Sequence, residues 1–138
     1  MDTDTAKKMI ESFYDALNEP AKKPVAAAIE GVTTEDWRSH GSEGPGKTRA
    51  EFIGQVTGFG KLIPDLSWSV REVLVAGDRI VVRSEASGTP VGELFGVPPS
   101  GRKFRILAID IHTVRDGKLA LAYHVEDWAT ALRQLRAT

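Results

Sequence analysis

The segment Pro64–Asp127, PDLSWSVREVLVAGDRIVVRSEASGTPVGELFGVPPSGRKFRILAIDIHTVRDGKLALAYHVED, decides the fold of this chain. Apolar and polar residues alternate over Ser67–Ala76 and again over Arg79–Gly88, which is typical of β-strands that bury one face. Gly77-Asp78 between them can form a two-residue turn. The pattern therefore predicts an antiparallel hairpin.

A second hairpin is predicted from Lys103–Arg115 and Lys118–Trp128, which flank the turn signal Asp116-Gly117. Its strands are apolar on both faces, whereas antiparallel sheets usually leave one face to water. We therefore expect the second face to be covered as well, most simply by an identical subunit. In the first of these strands, one face carries Leu107, Ile109 and Ile111, and the other carries Phe104, Ile106 and Ala108.

The residues before this segment have helical patterns, and a short strand is also compatible with Thr33–His40. Helices followed by antiparallel strands argue for one α+β domain over residues 1–138, in which a bent sheet carries helices on one face. A final helical turn over Trp128, Leu132 and Leu135 closes the chain. The helix signals are an apolar stripe over residues 6–17 that stops before Pro20, Pro24 ahead of VAAAIEGV, a capping box formed by Thr48 and Glu51, and an end at Gly58, Gly60 and Pro64.

Composition excludes several classes of function. The chain has 18 basic and 19 acidic residues and a net charge of -1, so it lacks the basic surface that nucleic acids or anionic membranes require. It contains no cysteine, which excludes disulfides and thiolate chemistry and is compatible with a reducing cytoplasm. Its first 20 residues lack the continuous apolar stretch of a signal peptide or membrane span. A cytoplasmic protein is expected.

Polar side chains lie among the apolar positions of the second hairpin. Because side chains alternate between faces, Asp110 and His112 share one face, and Tyr123 and Asp127 share one face of the next strand. If the Asp116-Gly117 turn has two residues, Asp110 lies opposite Tyr123. All four groups then project into one apolar pocket.

A bulged turn is the alternative, because it would shift the register by one residue and place His124 and Glu126 on the pocket face instead. The sequence leaves the two registers open. Neither register is expected to place two histidines and a carboxylate on one face, so we predict no metal site. No cofactor is predicted either.

Asp127 is the leading acid/base candidate, since a carboxylate among apolar walls is desolvated and its pKa rises towards the range useful for proton transfer. Its structural alternative is a helix N-cap, a frequent role for Asp before an apolar tail. Asp110 and His112 are candidates for assisting groups. Asp110 could instead be a buried carboxylate held by Tyr123 or by backbone, and His112 could face solvent.

Six residues are candidates for substrate contact. His40 lies in a glycine-rich loop, which could cover a pocket mouth. Arg83 would face Glu72 across the first hairpin, and an ion pair there is its alternative role. Large aromatic side chains more often fill a core than bind a ligand. The full set is Trp37, His40, Phe52, Arg83, Phe104 and Tyr123.

The spacing of GTPVGELFGVPPSGRKF, Asp110, RDGKL and an Asp just past the last strand resembles the SnoaL-like polyketide cyclase (ester cyclase) family. The resemblance implies a cone-like curved antiparallel sheet with helices packed on its concave face. It also implies a deep pocket, dimers or larger oligomers, and an acid/base Asp at the place of Asp127. The chain departs from the family pattern at Gly88-Thr89-Pro90 and at Leu121-Ala122, where relatives often carry polar residues.

The resulting hypothesis is a cofactor-independent enzyme that acts on a hydrophobic carbonyl compound, as in the intramolecular aldol closure of polyketide cyclases. Two alternatives stay open. One is a non-catalytic domain that binds a small apolar molecule, and the other is a ketosteroid-isomerase-like or epoxide-hydrolase-like activity in the same pocket.

Overall fold

The computed structural model describes residues 1–137 and shows an α+β fold in which helices pack on a curved, open sheet. The strands run in the order β2-β1-β6-β5-β4-β3. They are β1 Thr33–His40, β2 Lys47–Thr48, β3 Ser67–Ala76, β4 Arg79–Gly88, β5 Phe104–Arg115 and β6 Lys118–Glu126. The helices are α1 Thr3–Asp15, α2 Val25–Val32, α3 Arg49–Leu62 and α4 Trp128–Arg136, and Pro20–Lys22 forms a 3₁₀ turn.

Both predicted hairpins are present. β3 pairs antiparallel with β4, and Glu72 lies opposite Arg83 as expected. β5 pairs antiparallel with both β4 and β6. β1 lies parallel to β6, so the sheet is antiparallel except at this pair.

The inner face of the sheet forms the core together with the helices. α1 buries Ile10, Phe13 and Tyr14 against it, as the apolar stripe of the sequence predicts. The predicted capping box starts α3, where the Thr48 hydroxyl accepts from the Glu51 amide and the Glu51 carboxylate accepts from the Thr48 amide. These contacts fix the helices over the concave side of the sheet.

The outer face of the sheet is bare in a single chain. Its apolar side chains include Leu107, Tyr123 and Val125, which are 50%, 54% and 63% exposed. The two apolar faces of β5 are therefore as the sequence predicts, and the subunit expected over the outer one stays a prediction. Within residues 1–137, no helix is long and apolar enough to cross a lipid bilayer.

Gly60 has a packing role that differs from the sequence expectation of a helix end. It lies inside α3, where a Cβ would come within 2.9 Å of the Ala21 amide nitrogen and of Pro20 Cγ. Only a hydrogen atom fits between the helix and the 3₁₀ turn. Gly58, in the same helix, has open space around its Cα.

Gly60→Ala should lower the free energy of unfolding by about 1–3 kcal/mol, because the new methyl group overpacks the contact with the 3₁₀ turn. Gly58→Ala is the matched control and should raise it by up to about 1 kcal/mol, the gain expected from helix propensity. Urea denaturation of the two variants measures both values. A similar gain at both positions would contradict the packing role.

Candidate active site

An extra residue in β6 decides which side chains enter the pocket. Arg115 pairs with Lys118 across the turn, but two positions further Thr113 pairs with Leu121, so Ala120 has no partner in β5. The Asp116-Gly117 turn has the predicted two residues, both with positive φ of 54° and 73°. The register nevertheless shifts by one, because the bulge lies inside the strand.

After this bulge Asp110 lies opposite His124 rather than opposite Tyr123. The inner face therefore presents Asp110, His112, His124 and Glu126 to the same space. Tyr123 points outward and is 54% exposed. The prediction that a two-residue turn places Tyr123 in the pocket is wrong. His124 and Glu126, expected on this face only for a bulged turn, lie there because the bulge is inside β6.

Asp127 lies outside the pocket. It is exposed and acts as the N-cap of α4, where one carboxylate oxygen accepts from the Thr130 amide at 3.1 Å and the other from the Thr130 hydroxyl at 2.6 Å. These two hydrogen bonds lower the pKa of Asp127. The prediction of a buried Asp127 with a raised pKa is wrong, because the helix N-terminus holds the carboxylate at the surface.

The pocket is walled by aromatic rings. Its enclosed volume is about 130 Å³, close to engineered apolar cavities of about 150 Å³ that bind benzene. Phe95, at one end, is 55% exposed and has a φ of 46°. Eight of the ten aromatic residues in the sequence line the pocket, namely Phe13, Tyr14, Trp37, Phe52, Phe59, Trp68, Phe95 and Trp128.

A hydrogen-bonded chain crosses the floor of this pocket. The Tyr14 hydroxyl donates to Asp110 Oδ2 at 2.6 Å and lies 2.9 Å from His112 Nε2. Because a hydroxyl has a single proton, Tyr14 must accept from His112 Nε2–H when it donates to Asp110. The Nδ1 atom of His112 is then the unprotonated nitrogen, and it is buried with no partner among the described residues.

Burial governs the pKa values of these three hydrogen-bonded groups, Tyr14, Asp110 and His112. It raises the pKa of Asp110 to about 6, although the Tyr14 hydrogen bond opposes the rise. Burial lowers the pKa of His112 to about 4, so this imidazole is neutral near pH 7. Burial and the neighbouring Asp110 raise the pKa of Tyr14 well above its usual value. Of these three groups, Asp110 is thus the one whose pKa allows proton exchange near neutral pH.

A second polar pair lies beside Asp110. His124 Nδ1 and Glu126 Oε2 are 2.6 Å apart, and both side chains are partly buried. The hydrogen bond to Glu126 raises the pKa of His124 above its ordinary value. The pocket thus holds two hydrogen-bonded polar groups, one around Asp110 on β5 and one formed by His124 and Glu126 on β6.

The comparisons with known proteins agree with this architecture. The family model of SnoaL-like polyketide cyclases matches residues 8–135. This chain belongs to the SnoaL-like polyketide cyclase family. No curated protein matches it.

Solved structures share the fold of this SnoaL-like protein over nearly its whole length. TsrD from Streptomyces laurentii is 26% identical, with a TM-score of 0.85, and the match covers 100% of this chain and 99% of that one. IdmH, a candidate polyketide cyclase from Streptomyces antibioticus, is 26% identical, with a TM-score of 0.78 and coverage of 94% and 96%. AclR, a candidate hydroxylase from Streptomyces galilaeus, is 22% identical with a TM-score of 0.82 and coverage of 97% of each chain, which shows the shared fold alone.

The predicted substrate contacts divide into two groups in this SnoaL-like protein. Trp37 and Phe52 line the pocket. Phe104 is fully buried behind it and packs edge-on against Trp128. Arg83 lies on the outer face and pairs with Glu72 at 3.0 Å. His40 lies in a groove on the outer surface, where its ring is tilted against that of Tyr123 with the centroids 5.2 Å apart. Phe104, Arg83 and His40, like the outward-facing Tyr123, are therefore not placed to contact a ligand in the pocket.

Sequence reasoning missed Tyr14 as a residue of the site, and it placed His124 and Glu126 there only in the alternative of a bulged turn. Tyr14 was counted only in the apolar stripe of α1, although a tyrosine at a buried stripe position needs a partner for its hydroxyl. His124 and Glu126 alternate in the sequence with the exposed Tyr123 and Val125. Because Tyr123 and Val125 are the apolar members of that alternation, it favours the opposite orientation of the strand. Leu119-Ala120-Leu121-Ala122 is apolar throughout and hides the position of the bulge.

The site also bears on the metal prediction. Contrary to the sequence expectation, two histidines and two carboxylates do share one face. Ligand atoms of Asp110, His124 and Glu126 all lie within 4.8 Å of one another, so the prediction that no metal-ligating set shares one face is wrong. His124 Nδ1 is already bonded to Glu126. The arrangement suits proton exchange better than the binding of an ion.

Asp110 and His112 should give opposite pH dependences of stability. Asp110 has a pKa raised from 3.8 to about 6, so its contribution is fully present below 3.8 and is lost as pH rises through 6. His112 has a pKa lowered from 6.5 to about 4, so its contribution is present above 6.5 and is lost as pH falls through 4. In the wild type the two effects largely cancel between pH 4 and 6.5.

We therefore expect Asp110→Asn to lose up to about 3 kcal/mol of unfolding free energy on acidification across this range, relative to wild type. His112→Asn should show the reverse slope. Urea denaturation at several pH values measures these slopes. Parallel curves for the two variants would mean that the groups are not buried as described.

Proposed function

We propose that this protein is an acid–base enzyme in which Asp110 takes a proton from a carbon beside the carbonyl of an apolar substrate. The observation that carries the proposal is a buried carboxylate with a pKa of about 6, held at 2.6 Å by Tyr14 within an aromatic pocket. At pH 7 such a carboxylate is mostly ionised and still basic enough to accept a carbon-bound proton. Membership of a family of cyclases supports this type of reaction.

The proposed chemistry needs a base and an acid in the same pocket. Removal of the proton leaves an enolate, whose oxygen accepts hydrogen bonds from polar groups of the pocket. In an aldol closure the enolate carbon bonds to a second carbonyl carbon of the same molecule, and the resulting alkoxide takes up the proton. Protonated Asp110 can return that proton, so one carboxyl group serves both steps. No resident cofactor is required for this sequence.

The aromatic walls favour an apolar, ring-containing substrate, because flat faces of Trp and Phe stack well on other rings. The enclosed volume of about 130 Å³ accommodates roughly one ring. A larger substrate would extend past the exposed Phe95. Return of the proton to a different carbon of the same substrate would make the reaction an isomerisation, which the same groups could perform.

Deuterium uptake by β-tetralone tests the proposal, since this bicyclic ketone has acidic protons beside its carbonyl. In D₂O the protein should accelerate the exchange, and Asp110→Asn should reduce the acceleration by on the order of 10²-fold or more. The rate should rise with pH through about 6, because Asp110 must be ionised. Asp127→Asn is the control, because this exposed carboxylate lies outside the pocket. This variant should accelerate deuterium uptake by the ketone as much as wild type does.

Tryptophan fluorescence distinguishes the proposed enzyme from the alternative, a domain that binds a ligand without catalysis. Trp37, Trp68 and Trp128 all line the pocket, so ligand binding should change tryptophan emission. Wild-type protein that binds β-tetralone but does not accelerate its exchange would favour binding without catalysis. Exchange that is equally fast in Asp110→Asn would contradict the role of Asp110.

We propose further that the bare outer face pairs with a second copy of the chain. Its exposed Leu107, Ile111 and Val125 form a contiguous apolar surface on β5 and β6, which pure water contact would disfavour. Sedimentation should show a dimer at micromolar concentration, and Val125→Lys should shift it to monomer. A monomeric wild type under these conditions would contradict the proposal.

A further inference from the structure

His124 lies between the aromatic pocket and a groove on the outer surface, next to Gly41 at the end of β1. It lines both the pocket and this outer groove, which the loop residues 41–44 form together with Ile109, Ile111, Tyr123 and Val125. Nδ1 faces inward to Glu126 at 2.6 Å. Nε2 faces Gly41, where a Cβ would lie only 3.1 Å away.

Gly41 is exposed, and its missing side chain leaves room beside Nε2. The His124 side chain is 27% exposed. An imidazole can bind a proton at one nitrogen while releasing another from the second, so a ring in this position connects two compartments.

We propose that His124 carries protons between the pocket carboxylates, Asp110 and Glu126, and the outer groove. Nε2 takes a proton from water or buffer in the groove, and Nδ1–H passes its own proton to the Glu126 carboxylate. One proton has then moved inward, no other bond has changed, and the reverse pair of transfers restores the starting tautomer. The role in turnover rests on the proposed function of Asp110.

The pocket has a need for such a route. Asp110 is bonded to Tyr14 and packed among aromatic rings, so a bound substrate would cover it from the pocket side. The ligand atoms of Asp110, Glu126 and His124 lie within 4.8 Å of one another, so short movements connect them. The path through His124 stays open while the pocket is filled.

The charges around His124 keep its ring able to titrate. Glu126 on the same strand and Asp110 on β5 raise its pKa, and the Glu126 hydrogen bond is the largest influence. Lys47 on β2 and the partial burial of the ring lower it. His40 and Glu43 also line parts of the outer groove. The ring is therefore placed among groups of both signs.

The proton held between Tyr14 and Asp110 allows a test without any substrate. Its short hydrogen bond should move the hydroxyl signal downfield in the proton NMR spectrum, and saturation transfer from water then gives its exchange rate. His124→Gln keeps a polar side chain beside Glu126 but cannot shuttle protons. We expect its exchange to be slower than wild type by on the order of 10-fold to 10²-fold.

Two glycine variants test the outer end of the route. Gly41→Ala should slow the exchange because the methyl group would lie 3.1 Å from Nε2. Gly58→Ala is the matched control, as nothing lies within 4 Å of its added carbon, and it should match wild type. In His124→Ala, added imidazole should restore the exchange rate of the Tyr14 proton, because it is a proton carrier small enough for the vacated space.

A second measurement follows the same route during catalysis. Deuterium uptake by β-tetralone in His124→Gln should depend on buffer concentration, whereas wild type should not. Exchange of the Tyr14 proton in His124→Gln within twofold of wild type, or no buffer dependence in an active His124→Gln, would overturn the relay. Failure of the wild type to act on the ketone would count against the proposed function alone, since the NMR result needs no ligand.

Discussion

The whole pocket depends on one unpaired residue in a β-strand. Ala120 adds a position to β6 that β5 does not match, and every side chain beyond it changes face relative to a regular ladder. Leu119 and Ala120 are both buried as a result, and His124 and Glu126 follow them to the inner side. Without this shift the inner face would hold Tyr123 and the outer face would hold an imidazole and a carboxylate.

The polar groups brought inside are expensive for the fold, and their arrangement limits that cost. Asp110 is desolvated but receives a hydrogen bond from Tyr14, while the neighbouring His112 is neutral rather than charged. The hydrogen bond therefore lets the carboxylate stay in the pocket. Because burial disfavours its charged form and raises its pKa, it can also accept a proton near pH 7. A fully compensated carboxylate, such as Asp127 on α4, has a lowered pKa and is a weaker base.

The contrast between Asp110 and Asp127 separates two kinds of information. The N-cap role of Asp127 is local, because an Asp three residues before a Thr at the start of an apolar helix can satisfy that amide by itself. The role expected from the family resemblance placed chemistry at this same residue. In this chain the carboxylates that line the pocket are instead Asp110 and Glu126, one on each strand of the hairpin.

The sequence by itself determined the α+β class, the two hairpins with their turns, the capping box of α3 and the apolar faces of β5. These features depend on neighbours in the chain and on periodicity, which a single sequence displays. Only the tertiary structure decided the position of the bulge, the partnership of Tyr14 with Asp110 and His112, and the outward position of Arg83 and Tyr123. The partners of Tyr14 depend on contacts between residues that are distant in the chain, since 96 positions separate Tyr14 from Asp110. The bulge has no signal in the sequence, because the stretch around Ala120 is uniformly apolar.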